Sequence, residues 1–181
     1  MIKISKLYFI ANKQIRTLFL IQWLGIDLTP GKVGGTWLGL TKDGRFSSLT
    51  NYRQAQKYID PNAQGRGHLV TNFLKGQQKP GDYQREVSKE GELYNGFNLL
   101  VGELSSNTDK PSEFAWYCNM EEQQVKVIEP GTHVLTNRLL DFPWPKAVYG
   151  KRRFNEIIKQ YSDSKEKLID ELLKLLNEKE R

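Results

Sequence analysis

Cysteine is almost missing from this 181-residue chain: Cys118 stands alone, which rules out an internal disulfide framework and points to a reducing compartment. Histidine is nearly as scarce. His68 and His133 lie far apart, and neither has metal-ligand spacing to the cysteine, so a structural role for each outweighs ligation. No Asn-x-Ser/Thr sequon occurs, which agrees with the cysteine usage. Long apolar runs are missing too. Leu18–Ile26 is broken by Gln22 and too short to span a bilayer.

Acidic residues are absent from positions 1–26, which carry Lys3, Lys6, Lys13 and Arg16. That bias suits a mitochondrial transit peptide, but the Ser and Arg enrichment of one is lacking, and Asn12, Lys13 and Gln14 interrupt any secretory core. The segment reads as a buried strand and its continuation. Of the net charge of +6, none comes from residues 27–150, where 14 bases meet 14 acids; residues 151–181 add nine bases against seven acids. The excess sits at the two ends, so the basic face that nucleic acid requires is excluded. Also absent are a Gly-x-Ser-x-Gly elbow, a P-loop and a dinucleotide fingerprint, and Gly65-Arg66-Gly67 is too short to cradle a phosphate alone.

What is present fits one globular domain, 1–181, with 38% hydrophobic and 27% charged residues. Residues 34–52 are the most organised stretch, two strands joined at Thr41-Lys42-Asp43-Gly44, where Asp-Gly signals a hairpin. Thr36, Leu38 and Leu40 share one face, Trp37 and Gly39 the other. Small residues opposite a Trp point to a close approach by a neighbouring element or a ligand.

Along the rest of the chain, 4–11 predicts a strand, 15–26 has no clean period, and Pro30 and Gly31 mark a loop. A polar loop over 53–67 precedes a helix from His68 to Leu74 that stops at Gly76. Asp82 can cap a second helix reaching Ser88. Gly96–Leu104 is the clearest core strand, with Glu113–Asn119 as its partner, Gln124–Ile128 as a third strand and Thr132–Asn137 as another. Phe142-Pro143-Trp144-Pro145 reads as a rigid aromatic corner. From about residue 146 the pattern is helical, with Val148, Phe154, Ile157, Ile158 and Tyr161 on one side. Asp163 and Glu166 resemble a capping box, and the last helix carries a stripe of Leu168, Ile169, Leu172, Leu173, Leu175 and Leu176. The class is α+β.

Polar residues at strand ends are the remaining site candidates: Asn51, Asn95 and Asn137. Each can donate an amide N–H to a carbonyl or an oxyanion, and each can equally bond its own backbone in a turn.

Gly34-Gly35-Thr36-Trp37-Leu38-Gly39, Leu49-Thr50-Asn51-Tyr52, Arg66-Gly67 with Leu69-Val70, Tyr94-Asn95-Gly96-Phe97-Asn98-Leu99, Pro130-Gly131-Thr132 with Thr136-Asn137, and Pro143-Trp144-Pro145-Lys146 occur in one order. In that order the chain resembles the transport and Golgi organization protein 2 family, also named after its Asn-Arg-Asp-Glu motif, over roughly residues 24–176. The resemblance implies an N-terminal-nucleophile-hydrolase-like α/β/β/α sandwich. It makes Gly34, Gly35, Thr36, Trp37, Asn51, Tyr52, Arg66, Asn95 and Asn137 candidate pocket residues.

The departures shape the functional expectation. The family begins Met-Cys, with that cysteine as nucleophile, whereas this chain begins Met1-Ile2, and Asn12-Lys13-Gln14-Ile15 keeps only the Asn of the motif. The family also continues past Leu176, so the sandwich is expected to be incomplete. The resemblance then implies a non-catalytic member acting in Golgi organization and protein secretion, or in moving haem or a lipid between compartments, with haem as the implied cofactor. A cytoplasmic place is expected, Golgi-associated or mitochondrial. The alternatives are an amidohydrolase whose true Met-Cys start is missing here, and an incomplete isoform without independent function.

Overall fold

The computed structural model describes residues 7–11, 27–28, 33–105, 112–121 and 124–178. Within them run strands β1 (Leu7–Ala11), β2 (Leu38–Leu40) and β3 (Arg45–Asn51), then helices α1 (Gly67–Lys75) and α2 (Pro80–Lys89). Strands β4 (Phe97–Glu103), β5 (Glu113–Cys118), β6 (Lys126–Val127) and β7 (Gly131–Leu135) follow, and helices α3 (Pro145–Tyr161) and α4 (Lys165–Asn177) close the order. Mixed α and β structure is therefore what the chain forms. The uncharacterised stretch 15–26, the Pro30-Gly31 loop and the Asn12–Ile15 motif position lie outside the described residues, as do the first residues of the strand expected over 4–11.

Strands β2-β3-β4-β5-β6 make one antiparallel sheet in sequence order, and β1 pairs with β7 in a second. The hairpin that opens the large sheet forms as expected: Gly44 N–H donates to Thr41 O at 3.1 Å, and Arg45 N–H to Thr41 Oγ1 at 2.9 Å. Gly44 takes a φ of 92°, a conformation that a residue with a Cβ resists. Register follows from the turn, with Leu38 opposite Ser48 and Leu40 opposite Phe46.

Alternation then sorts the side chains. Phe97, Leu99 and Val101 of β4, Ala115 and Tyr117 of β5, and Leu49 of β3 join Val70, Phe73, Leu74, Tyr83 and Val87 of α1 and α2 in one core. The opposite face sends Leu38, Phe46, Leu100, Phe114, Trp116 and Cys118 to meet Leu135 of β7 in another. Because β4 is buried on both faces it reads as a continuous apolar run, which is why it is the clearest strand in the sequence. The β1–β7 pair carries α3 on its far side, and Phe154 and Ile157 of α3 join Leu168 and Leu175 of α4 in a third cluster. Gly39 faces α1, where an added Cβ would collide with Leu74, so the close approach seen in the sequence is a helix.

Several local expectations shift. Helix α2 starts at Pro80 with Lys79 before it, and Asp82 pairs with Arg85 at 2.5 Å instead of capping. Proline suits the first helical position because its missing N–H has no partner there in any case. The same logic opens α3 at Pro145, inside the expected corner. Ser164, not Asp163, precedes α4, and it makes no side-chain cap bond. Val148 is 55% exposed, because the buried face of α3 runs through Ala147, Gly150, Phe154 and Ile157, whose centre is about 140° away around the helix. On α4 the apolar stripe divides, with Leu168 and Leu175 buried and Leu173 and Leu176 facing out. Strand β6 shrinks to two residues, and β7 begins at Gly131 and ends before Thr136-Asn137. No helix among the described residues is long and apolar enough to cross a membrane.

Candidate functional site

Antiparallel register puts the C-terminal end of β3 beside the N-terminal end of β4, and the loop after β7 comes back over them. Three bonds stitch that meeting. Arg53 N–H donates to Asn137 O at 2.8 Å, Asn137 Nδ2 to Asn51 O at 2.8 Å, and Thr50 Oγ1 to Thr136 O at 2.7 Å. The Thr136 hydroxyl itself is buried without a partner among the described residues. Between this seam and the start of α3 lies an open depression of about 250 Å³, lined by Asn51, Tyr52, Arg53, Asn137, Trp144 and Lys146.

Of the nine candidate pocket residues, Asn51, Tyr52 and Asn137 come together in the depression. Gly34, Gly35, Thr36, Trp37 and Arg66 do not line it and gather instead where the approach to β2 meets the start of α1. There Thr36 N–H donates to Gly67 O at 3.2 Å, and an added Cβ on Gly67 would fall 3.0 Å from Gly35 Cα. Arg66 donates Nη1 to Gly96 O at 2.8 Å, and its guanidinium stands 5.7 Å from the Trp37 ring. Burial pulls the Arg66 pKa down. Asn95 is set apart: its Oδ1 accepts from Asp60 N–H at 2.8 Å and its Nδ2 donates to Asp60 O at 2.7 Å, fastening the loop that precedes α1.

Under the depression, Tyr52 enters the inter-sheet core and donates its hydroxyl to Glu121. Arg138 pairs with the same carboxylate at 2.6 Å and stands 5.2 Å from the Tyr52 ring and 5.3 Å from that of Phe142. Desolvation first, then the Glu121 bond, push the Tyr52 phenol far above its ordinary range. Cys118 is 1% exposed, opposite Asn98 on β4, and burial pushes its thiol up. Its place is that of a small buried hydrophobe, and it holds its proton at neutral pH. His133 is held by Asp141 Oδ2 at 2.7 Å and Glu129 O at 2.9 Å. Among the described residues no three His, Cys, Asp or Glu side chains are placed to hold a metal ion.

The lining therefore offers amide groups, two cations, a phenol and an indole, and no Ser, Thr or Cys side chain. Arg53, Trp144 and Lys146 escaped the sequence reading as site residues. Phe142-Pro143-Trp144-Pro145 was legible, as a rigid aromatic corner, and Lys146 as the start of a helical pattern; nothing local to them signals a concavity. Arg138 and Glu121 gave no signal, since they belong to separate loops.

The family described as Transport and Golgi organisation 2 matches residues 23–181. The chain is 42% identical over 157 residues to the Transport and Golgi organization 2 homolog of Mus musculus, covering 86% of this chain and 55% of that protein. It is 44% identical over 157 residues to the Transport and Golgi organization protein 2 homolog of Homo sapiens, with the same coverage of 86% and 55%. With the Transport and Golgi organization protein 2 of Drosophila melanogaster it shares 28% identity over 164 residues, 87% of this chain and 57% of the other. The chain thus spans about half the length of the curated relatives it matches.

Proposed function

Because the chain belongs to the Transport and Golgi organisation 2 family, we propose that it acts without catalysis in Golgi organization and secretory trafficking, as a binding module. The carrying observation is the make-up of the depression: donors and cations line it, no hydroxyl or thiol of Ser, Thr or Cys does, and the one thiol lies buried and protonated between the sheets. Handling of haem or a lipid, implied by the family resemblance, belongs to the same proposal, as does a cytoplasmic place associated with the Golgi or with mitochondria. The succession of α1 and α2, the large sheet, the β1–β7 pair, and α3 with α4 supports an N-terminal-nucleophile-hydrolase-like sandwich as the finer description of the fold.

Expression of the full chain in cells lacking their own member of the family tests the role. Restored Golgi morphology and cargo secretion are the expected result, and failure to restore either at normal protein levels overturns the reading. Haem handling has a separate readout, since titration should produce a saturable Soret change; a linear, unsaturable signal removes haem from the proposal.

A further inference from the structure

Charge in the depression is one-sided. Arg53 and Lys146 both line it, neither pairs with a carboxylate among the described residues, and no acidic side chain lines it. Nearby Glu121 is already engaged by Arg138 and Tyr52. The Asn137 amide is spent on Asn51 O, whereas the Asn51 side chain is exposed and makes no bond of its own among the described residues. Lys146 lies 5.0 Å from the Trp144 ring, which stands edge-on to Phe142 at 6.1 Å, so an apolar wall flanks the cations. Lys146 is the second residue of the 17-residue helix α3, whose first turn has no acid and whose N-cap, Trp144, makes no side-chain bond. The positive end of that helix therefore adds its field to the same place.

We propose that this depression binds an anionic oxygen group, a carboxylate or a phosphate, through Arg53, Lys146 and the Asn51 amide, with Trp144 against the apolar part of the ligand. The site deepens the binding role proposed above and rests on it. Two cations and an amide donor converging on one concavity match the several acceptor oxygens of such a group. Lys57 and Lys159 are exposed and do not line this depression. A free anion and a lipid headgroup present the same oxygens, and the test separates them.

Octyl phosphate, inorganic phosphate, octanol, and phosphatidylcholine vesicles with or without phosphatidic acid would each be added to the full chain, with resonances of Lys146, the Trp144 indole and the Asn51 amide followed by NMR. Octyl phosphate is expected to shift all three in a saturable way. Lys146→Glu and Arg53→Glu should each weaken binding by about tenfold, the worth of a lost charge-assisted hydrogen bond. Lys57→Glu and Lys159→Glu should not change it. Lys146→Gln and Arg53→Gln, with unchanged circular dichroism, guard against misfolded variants and should lose most of the same affinity. Binding of inorganic phosphate supports a free anion as the source; binding only to vesicles with phosphatidic acid supports a headgroup. Equal binding of octanol, equal binding by the variants, or no shift with any anionic probe overturns the site. No anion binding by the wild-type chain with secretion still restored refutes this site alone, whereas anion binding by the wild-type chain without restoration refutes the trafficking role alone.

Discussion

Asp141 is the one described residue other than glycine at a positive φ, 58°, and its carboxylate repays the strain. It accepts from Val134 N–H at 3.0 Å, from Lys151 Nζ at 2.9 Å and from His133 Nδ1 at 2.7 Å. Burial works to raise its pKa, and the bonds from Lys151, His133 and Val134 outweigh it, holding the carboxyl below the usual range. A folded pKa below the unfolded value means that the stabilisation is present above the unfolded value, about 3.9, and is lost as pH falls through the folded one. The denaturation midpoint of wild type should therefore exceed that of Asp141→Asn most clearly above about pH 5, the gap shrinking as pH falls below the unfolded value of about 3.9. A gap that widened on acidification would refute this. Gly67 gives the second residue-scale expectation. Its added Cβ would lie 3.0 Å from both Gly35 Cα and Thr36 N, backbone that cannot swing aside, so Gly67→Ala should cost about 1–3 kcal/mol by chemical denaturation. Neither constraint was legible in the sequence, where Asp141 and Gly67 look like ordinary loop residues.

Among the elements, β3 does more than pair. Arg45 at its start is 6% exposed and crosses to α1, donating Nε and Nη2 to Phe73 O at 3.1 and 3.0 Å and Nη2 to Gln78 O at 2.9 Å. The guanidinium stands 4.0 Å from the Phe73 ring and pairs with Glu103 of β4. It adds two donors to Phe73 O, which also accepts from Gly76 N–H at 3.2 Å, and so ties the end of α1 to the sheet. Arg45→Ala removes these bonds and leaves Glu103 without its cation, and should cost about 3 kcal/mol. Thermal unfolding measures the loss, and amide exchange should quicken first in the last turn of α1; uniform quickening would count against a tie specific to that helix. Helix α4 differs in kind. It docks on α3 through Leu168 and Leu175, so Leu175→Ala should destabilise by about 2–3 kcal/mol while Leu173→Ala stays within about 0.5 kcal/mol. The helical period predicted that α4 has an apolar stripe, but which half of it is buried depended on where α3 lies.

For the molecule as a whole, the two sheets enclose Cys118 between them, with its thiol pushed up by burial. A disulfide reagent should label it at a rate set by opening of the inter-sheet core, slow in native buffer and immediate in denaturant. Fast native labelling would mean that the sheets part readily. In the large sheet, β2 to β6, short connections predicted the β2–β3 and β4–β5 pairings, whereas β3 and β4 pair across α1 and α2, a contact the sequence reading did not give. The sequence by itself determined the turn at Thr41–Gly44, the two-faced burial of β4 and the amphipathic character of the helices, because each rests on contacts or periods within a few residues. Only the tertiary structure decided the depression. Asn51 and Asn137 are 86 residues apart, and the bond between them exists because β3 and β7 end at the same edge of two stacked sheets. The same meeting brought Arg53 and Lys146 into one concavity and left Asn95 as a clamp on a loop. Spacing along a chain records local geometry, and where the ends of distant strands coincide is set by register and packing.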